Sequence, residues 1–245
     1  LKAVILAAGM GSRLQPLTDN CPKCLLLVGG STILERMITN IQACGINEIV
    51  FVLGYLGEEI ESYVVRNFPD LTHHFIYNQS FEATNTGYSL LLAETALAGT
   101  GFVKFDADVV FDREILDKLI ANPFSDCLCL DRNIQLEAEE VKVLADSNHR
   151  VLQVSKTVNP KEALGESIGI EKIGPQTSKL LFFELRSMMQ DTANHQDYYE
   201  AAYERLIDAD TTFHAVDITG HNWTEIDTPE DFQAANQTFG SNKAA

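Results

Sequence analysis

The 245-residue sequence has no apolar run long enough to span a membrane. Its first hydrophobic stretch, Ala3 to Ala8, falls far short of the roughly 20 residues a helical span requires. The same stretch is too short for a signal-peptide core followed by a cleavage site, so the cytoplasm is the expected compartment. Cysteine is scarce and odd in number: Cys21, Cys24, Cys44, Cys127 and Cys129. Without an export signal these thiols are expected to be reduced, which removes a disulfide scaffold. Positive charge is also short, with 18 Lys and Arg against 35 Asp and Glu and a net charge of -17. No electrostatic footprint for nucleic acid or an anionic membrane surface follows from that balance. A nucleotide is not excluded, because a few local cations and backbone amides can hold a triphosphate inside an acidic molecule. The chain also lacks repeats, low-complexity tracts and Pro/Ser linkers, so a single domain over residues 1–240 is expected.

What is present is an ordinary globular composition, 45% hydrophobic and 22% charged, which excludes a collagen-like or disordered chain. Apolar runs of strand length alternate with helical patterns: strand Ala3 to Ala8, helix Ile33 to Cys44, strand Glu48 to Gly54, helix Gly57 to Phe68. The rhythm repeats with strand His74 to Asn78, helix Gly87 to Leu97, strand Gly101 to Asp106 and helix Arg113 to Asn122. This predicts an α/β fold on a mainly parallel sheet. Leu34, Met37, Ile38 and Ile41 fall at helical spacing, and Gly45 follows as a left-handed cap. From Cys127 onward shorter strands predict a mixed or antiparallel extension: Cys127 to Asp131, Val141 to Ala145, Val151 to Ser155 and Ile168 to Ile173. Helices Gln176 to Met189 and Tyr198 to Asp208 follow, then strand Phe213 to Ile218. Thr228, Pro229 and Asp231 announce a final helix.

The strongest local signal is Leu6-Ala7-Ala8-Gly9-Met10-Gly11-Ser12-Arg13, which leaves the first strand as a loop. Glycines there permit close approach of phosphates to backbone N–H groups, and Arg13 adds a forked charge. The dinucleotide fingerprint fails, since position 14 is Leu14 rather than glycine, and the P-loop fails for want of Gly-Lys-Ser/Thr. Ten residues on stands Pro22-Lys23. Together with Asp106-Ala107-Asp108, Glu166 to Ile170 and Trp223 to Asp231, these segments resemble the signature of nucleotidyltransferases that activate sugar phosphates and related esters. Within that superfamily the chain is most similar to small cytidylyltransferases of the phosphocholine, aminoethylphosphonate and inositol-phosphate type.

The resemblance implies a Rossmann-like, mainly parallel sheet of the nucleotide-diphospho-sugar transferase kind. Residues 1–125 would mainly bind nucleotide and residues 126–240 mainly the acceptor. It implies CTP as donor, a small phosphate or phosphonate as acceptor, Mg²⁺ as cofactor and pyrophosphate as leaving group. Leu6 to Arg13, Lys23, Asn85 and Asp106 would bind nucleotide. Asn85, Tyr88, Ser89, Lys156, Glu166 and Ser167 would meet the acceptor, and Asp108 and Asp227 the metal. Arg13, Lys23 and Lys156 would carry catalysis, as fixed cations facing charge that builds on transferring phosphates. Thr84, Asn85 and Thr86 equally suit helix capping. The acceptor is expected to carry an amine or quaternary ammonium, with Tyr88, Tyr198, Tyr199, Trp223 and Glu82 as candidate surroundings. Cys21-Pro22-Lys23-Cys24 has redox or zinc spacing but lacks a second ligand pair. Cys127 and Cys129 are expected on opposite strand faces, unable to chelate together, and His73 and His74 likewise. The alternatives are a sugar-1-phosphate or polyol-phosphate transferase using another triphosphate, and an inactive nucleotide-binding protein. A homodimer is left open.

Overall fold

The computed structural model describes residues 1–133 and 136–240. In chain order it runs through β1 (Lys2–Ala7), the short hairpin β2 (Leu27–Val28) and β3 (Ser31–Thr32), α1 (Ile33–Ala43), β4 (Glu48–Leu53) and α2 (Gly57–Asn67). Next come β5 (Thr72–Tyr77), α3 (Thr86–Leu92), the single turn α4 (Glu94–Leu97), β6 (Phe102–Asp106), β7 (Val109–Phe111) and α5 (Arg113–Ala121). The second part contains β8 (Cys127–Asp131), β9 (Lys142–Ala145), β10 (Val151–Ser155), β11 (Gly165–Ile173), α6 (Pro175–Met188) and α7 (Glu200–Asp208). It closes with β12 (His214–Asp217), β13 (Trp223–Glu225) and α8 (Pro229–Gly240).

Strands β6, β1, β4 and β5 lie side by side and parallel. Antiparallel β11 continues the sheet from β6, antiparallel β8 follows, and β12 runs parallel to β8. The antiparallel pair β9 and β10 joins at the Gly165–Glu166 end of β11. Side chains of the central strands alternate between two buried layers, as the strand period requires. Ile5, Phe51 and Phe105 face α1 and α2 through Met37, Ile41, Ile60 and Val64. Val4, Leu6 and Val52 face α3, α6 and α7 through Leu90, Phe182, Leu185 and Tyr203. Such covering of both faces is why these strands read as continuous apolar runs. Thr32 caps α1 by accepting from the Glu35 amide at 2.9 Å, and Gly45 ends it with a φ of 80°. Among the described residues no helix is long and apolar enough to cross a membrane.

From β1 the chain crosses to β4 on one side and returns, through β5 and α3, to β6 on the other. The carboxyl ends of β1 and β6 therefore open onto a topological switch point, where sheets of this kind bind ligands. Some boundaries differ from expectation. The helix expected over residues 87–97 is broken at Ala93 into α3 and α4, and α7 begins at Glu200 rather than Tyr198. Strand β11 begins at Gly165, before Ile168, because its first residues pair with β8 and β9 rather than with β6. Cys127 and Cys129 do not face opposite sides: residues two apart share a face, and both thiols lie in one buried layer while Leu128 and Leu130 enter the other. All five cysteines are free.

Candidate active site

Loop 8–14 leaves β1 with Gly11 in the left-handed region at a φ of 59°, which caps the tight turn Ser12–Leu14. The Ala8 carbonyl accepts from Tyr55 N at 3.1 Å and the Gly11 carbonyl from Thr18 Oγ1 at 2.8 Å, so the loop is anchored from behind. Facing it is Lys23, at the start of a second tight turn. Asp108 follows β6, and Asp227 follows β13; the ribbon of β13 with β7 brings the distant Trp223 to Glu225 segment alongside. Ile226 N donates to the Asp108 carbonyl at 3.1 Å, which sets the two aspartates side by side. Lys23 Nζ then donates to Asp108 Oδ2 at 2.8 Å and Asp227 Oδ1 at 2.6 Å, while Arg13 Nη2 reaches Asp227 Oδ2 at 2.6 Å.

Burial works against the Lys23 charge, but Asp108 and Asp227 outweigh it and hold the ammonium above its ordinary value. For Asp227, burial pushes upward and the Lys23 charge and hydrogen bond, with Arg13, bring it below the usual carboxylate range. Glu225 lies in the same group, one oxygen from each of Asp108, Glu225 and Asp227 falling within 4.8 Å of the others. Burial, then the Asp108 and Asp227 charges, push Glu225 up to about 9.

These groups open into a cleft of about 930 Å³. Leu6, Gly9, Gly11, Ser12, Arg13, Lys23, Asn85, Asp106 and Asp108 line it. Ala7 lines a recess of about 90 Å³ behind the loop, and Met10 points outward, 43% exposed. Lys156, Glu166, Ser167, Tyr198, Tyr199 and Trp223 line the cleft as well. Lys156 lies 4.8 Å from the Tyr198 ring centroid and 3.7 Å from Glu139. The structure does not bring Tyr88, Ser89 or Glu82 to the cleft lining. Ser89 is buried and takes a hydrogen bond from Asn78 Nδ2 at 3.1 Å, Tyr88 packs on the His195 ring at 5.1 Å, and Glu82 is exposed. Asn85 lines the cleft and also caps α3, accepting from Thr86 N at 2.8 Å.

Sequence reasoning gave no role to Lys104, which is fully buried in β6. Its Nζ reaches Asp106 Oδ2 at 2.9 Å and Glu171 Oε2 at 2.8 Å, and contacts the Tyr199 hydroxyl, which in turn donates to Asp106 at 2.7 Å. Burial raises Asp106 and Glu171 despite Lys104, and burial eased by Lys104 leaves Glu200 at about 7. Gly169, at a φ of 74°, leaves the room that the Asp106 carboxylate fills. Lone charges within an otherwise apolar strand were the available signal, since a buried lysine requires partners.

Residues 3–156 match the family model described as the MobA-like NTP transferase domain. The chain belongs to this family. It is a nucleotidyltransferase. It is 29% identical over 252 residues to the CTP:phosphoglutamine cytidylyltransferase of Campylobacter jejuni, covering 95% of this chain and 98% of that one. It is 26% identical over 245 residues to the CMP-5'-(3-aminopropyl)phosphonate synthase of Streptomyces rubellomurinus, covering 98% of this chain and 39% of that protein. In fold it is similar to the CTP:phosphocholine cytidylyltransferase of Streptococcus pneumoniae, with a TM-score of 0.78, 23% identity and coverage of 97% and 98%. The mixed, mainly parallel sheet of the transferase is that of this structural class.

Proposed function

We propose that the protein is a Mg²⁺-dependent cytidylyltransferase that moves CMP from CTP to a phosphate or phosphonate oxygen of a small acceptor. The observation that carries this reading is the meeting of Lys23 with Asp108 and Asp227 opposite the glycine loop, in a cleft that also holds Lys156. The choice of CTP rests on the phosphoglutamine cytidylyltransferase, matched over nearly its whole length, and on the CMP-phosphonate synthase, matched over nearly the whole of this chain. The acceptor oxygen attacks the α-phosphorus, a new P–O bond forms, the α–β bridging bond breaks and pyrophosphate leaves. No nucleophile of the protein is needed, so its task is to position two anions and stabilise developing charge. Loop amides and Arg13 face the leaving phosphates, Lys23 the reacting phosphoryl group, and Lys156 the acceptor anion. Each reduces the repulsion between the two anions.

Asp108, Asp227 and Glu225 fit a hard cation. They offer oxygen donors only, and Asp108 Oδ1 is buried without a partner among the described residues. Mg²⁺ held there would supply charge neutralisation on the phosphates. Retention of Arg13, Lys23, Asp108 and Asp227 in one contact network favours an active enzyme over an inactive nucleotide binder. The test is pyrophosphate release from CTP, UTP, GTP and dTTP, each with phosphocholine, aminoethylphosphonate, glucose-1-phosphate and inositol phosphate. Metal-dependent release that is fastest with CTP is expected. Preference for another triphosphate with a sugar phosphate would replace this reading.

A further inference from the structure

Glu166 lines the cleft at the start of β11, and it is only 6% exposed. Among the described residues its carboxylate has neither a hydrogen-bond donor nor a cation in contact. The charges it senses are Glu140 and Asp131, which repel it, and Lys142. Lys142 is itself occupied, donating to the carbonyls of Glu137 and Glu140 at 2.8 and 2.9 Å. Asp131 is saturated in contrast: Trp223 Nε1 donates to it at 2.8 Å, Asn133 N at 2.9 Å and Thr219 Oγ1 at 3.3 Å. The body of Glu166 is buried while its carboxylate opens onto the cleft without a protein donor, so a donor that enters the cleft can complete it.

Two of the aromatic rings nearby carry the protein's own cations, and a third, Trp223, is held at its edge with its faces left open. Lys156 covers Tyr198, Lys104 lies 3.7 Å from the Tyr199 centroid, and the Trp223 N–H is held by Asp131. Tyr88 lies outside the cleft lining. What Glu166 lacks is an N–H donor, which a quaternary ammonium cannot give and of which a primary ammonium brings three. We propose that the acceptor carries a primary ammonium, seated on Glu166 within the negative potential of Asp131 and Glu140. This deepens the cytidylyltransferase reading above and rests on it. Pairing of Gly165 and Glu166 to both β8 and β9 fixes the backbone of the seat.

The test compares acceptors that differ only at nitrogen, with CTP and Mg²⁺: phosphoethanolamine against phosphocholine, and 2-aminoethylphosphonate against ethylphosphonate. In the wild type kcat/KM is expected to favour the primary amine by about tenfold or more in both pairs, as suits a charge-assisted hydrogen bond. Glu166→Gln is expected to reduce both ratios to about threefold or less, chiefly through KM, with its folding checked by thermal melting and CTP binding. Equal or faster use of phosphocholine by the wild type overturns the proposal, as does a folded Glu166→Gln variant that keeps the wild-type ratios. Should that variant not fold, the wild-type ratios decide. If glucose-1-phosphate is preferred, the ammonium seat is wrong and nucleotidyl transfer stands. If CTP binds but no acceptor yields pyrophosphate, the cytidylyltransferase reading falls and takes this inference with it.

Discussion

Lys23 holds two carboxylates at once, and both belong to the group that would bind Mg²⁺. In the proposed reaction its ammonium would have two tasks: keeping Asp108 and Asp227 together and facing the reacting phosphates. Lys23→Ala is expected to lower turnover by about 10²–10³, the loss of one fixed charge on a developing oxyanion being worth roughly 3–4 kcal/mol. Initial rates of pyrophosphate release check it, and near-normal turnover in the folded variant would remove Lys23 from that role. Asp108→Asn and Asp227→Asn each delete a charged oxygen ligand, so the Mg²⁺ activation curve should shift to higher metal by about tenfold or more. An unchanged curve would show that the residue is not a ligand. That Arg13, Lys23, Asp108 and Asp227 belong together was legible through the resemblance of the segments that carry them, although it did not state that Arg13 and Lys23 would both contact Asp227. Tyr88 and Ser89 were less legible, because both fall in the first turns of α3 and sequence alone does not say which face of the helix meets the cleft.

Three elements meet at Lys104: β6 carries it and Asp106, β11 supplies Glu171, and the entry to α7 supplies Tyr199 and Glu200. This cluster ties the parallel part of the sheet to the start of α7, where Tyr199 and Glu200 line the cleft. Lys104→Met would leave several buried carboxylates without their cation, and breaking a buried pair costs about 3–5 kcal/mol. Urea denaturation should show a loss of that size. A change below about 1 kcal/mol would mean that the acids are protonated and that Lys104 contributes little. At this scale the order of major strands and helices was readable from periodicity, because β1, β4 and β6 are covered on both faces and α1 carries a clear apolar stripe. The hairpin of β2 and β3 and the ribbon of β7 and β13 escaped, since strands of two or three residues hold no full period. Their pairing depends on partners distant in sequence: Trp223 meets Phe111. The split of α3 from α4 at Ala93 has no glycine or proline to announce it.

The molecule as a whole carries 35 acids against 18 bases, and several of those acids are buried. Glu166, raised by burial and then by Glu140 and Asp131 with Lys142 opposing, and Glu200, raised by burial against Lys104, each hold a proton to about 7. In the unfolded chain the same groups ionise near 4.5. Between those values the folded state binds more protons than the unfolded one, so stability falls as pH rises and levels off above the folded values. Asp227 acts in the opposite sense, but its range lies below its unfolded value of 3.8, outside that window. The general self-repulsion of a chain at -17 also weakens as acids protonate, so both effects point the same way. The urea midpoint is therefore expected to be higher near about pH 5.5 than near about pH 8. Glu166→Gln isolates the share of Glu166. Removing one carboxylate hardly changes the overall charge but deletes a specific proton site, each factor of ten in proton affinity being worth about 1.4 kcal/mol. The variant should gain stability at about pH 8 relative to wild type and show a flatter dependence down to about pH 5.5. If its slope matches wild type, Glu166 contributes nothing to the pH response, which then belongs to Glu200 and the other raised carboxylates or to the diffuse charge.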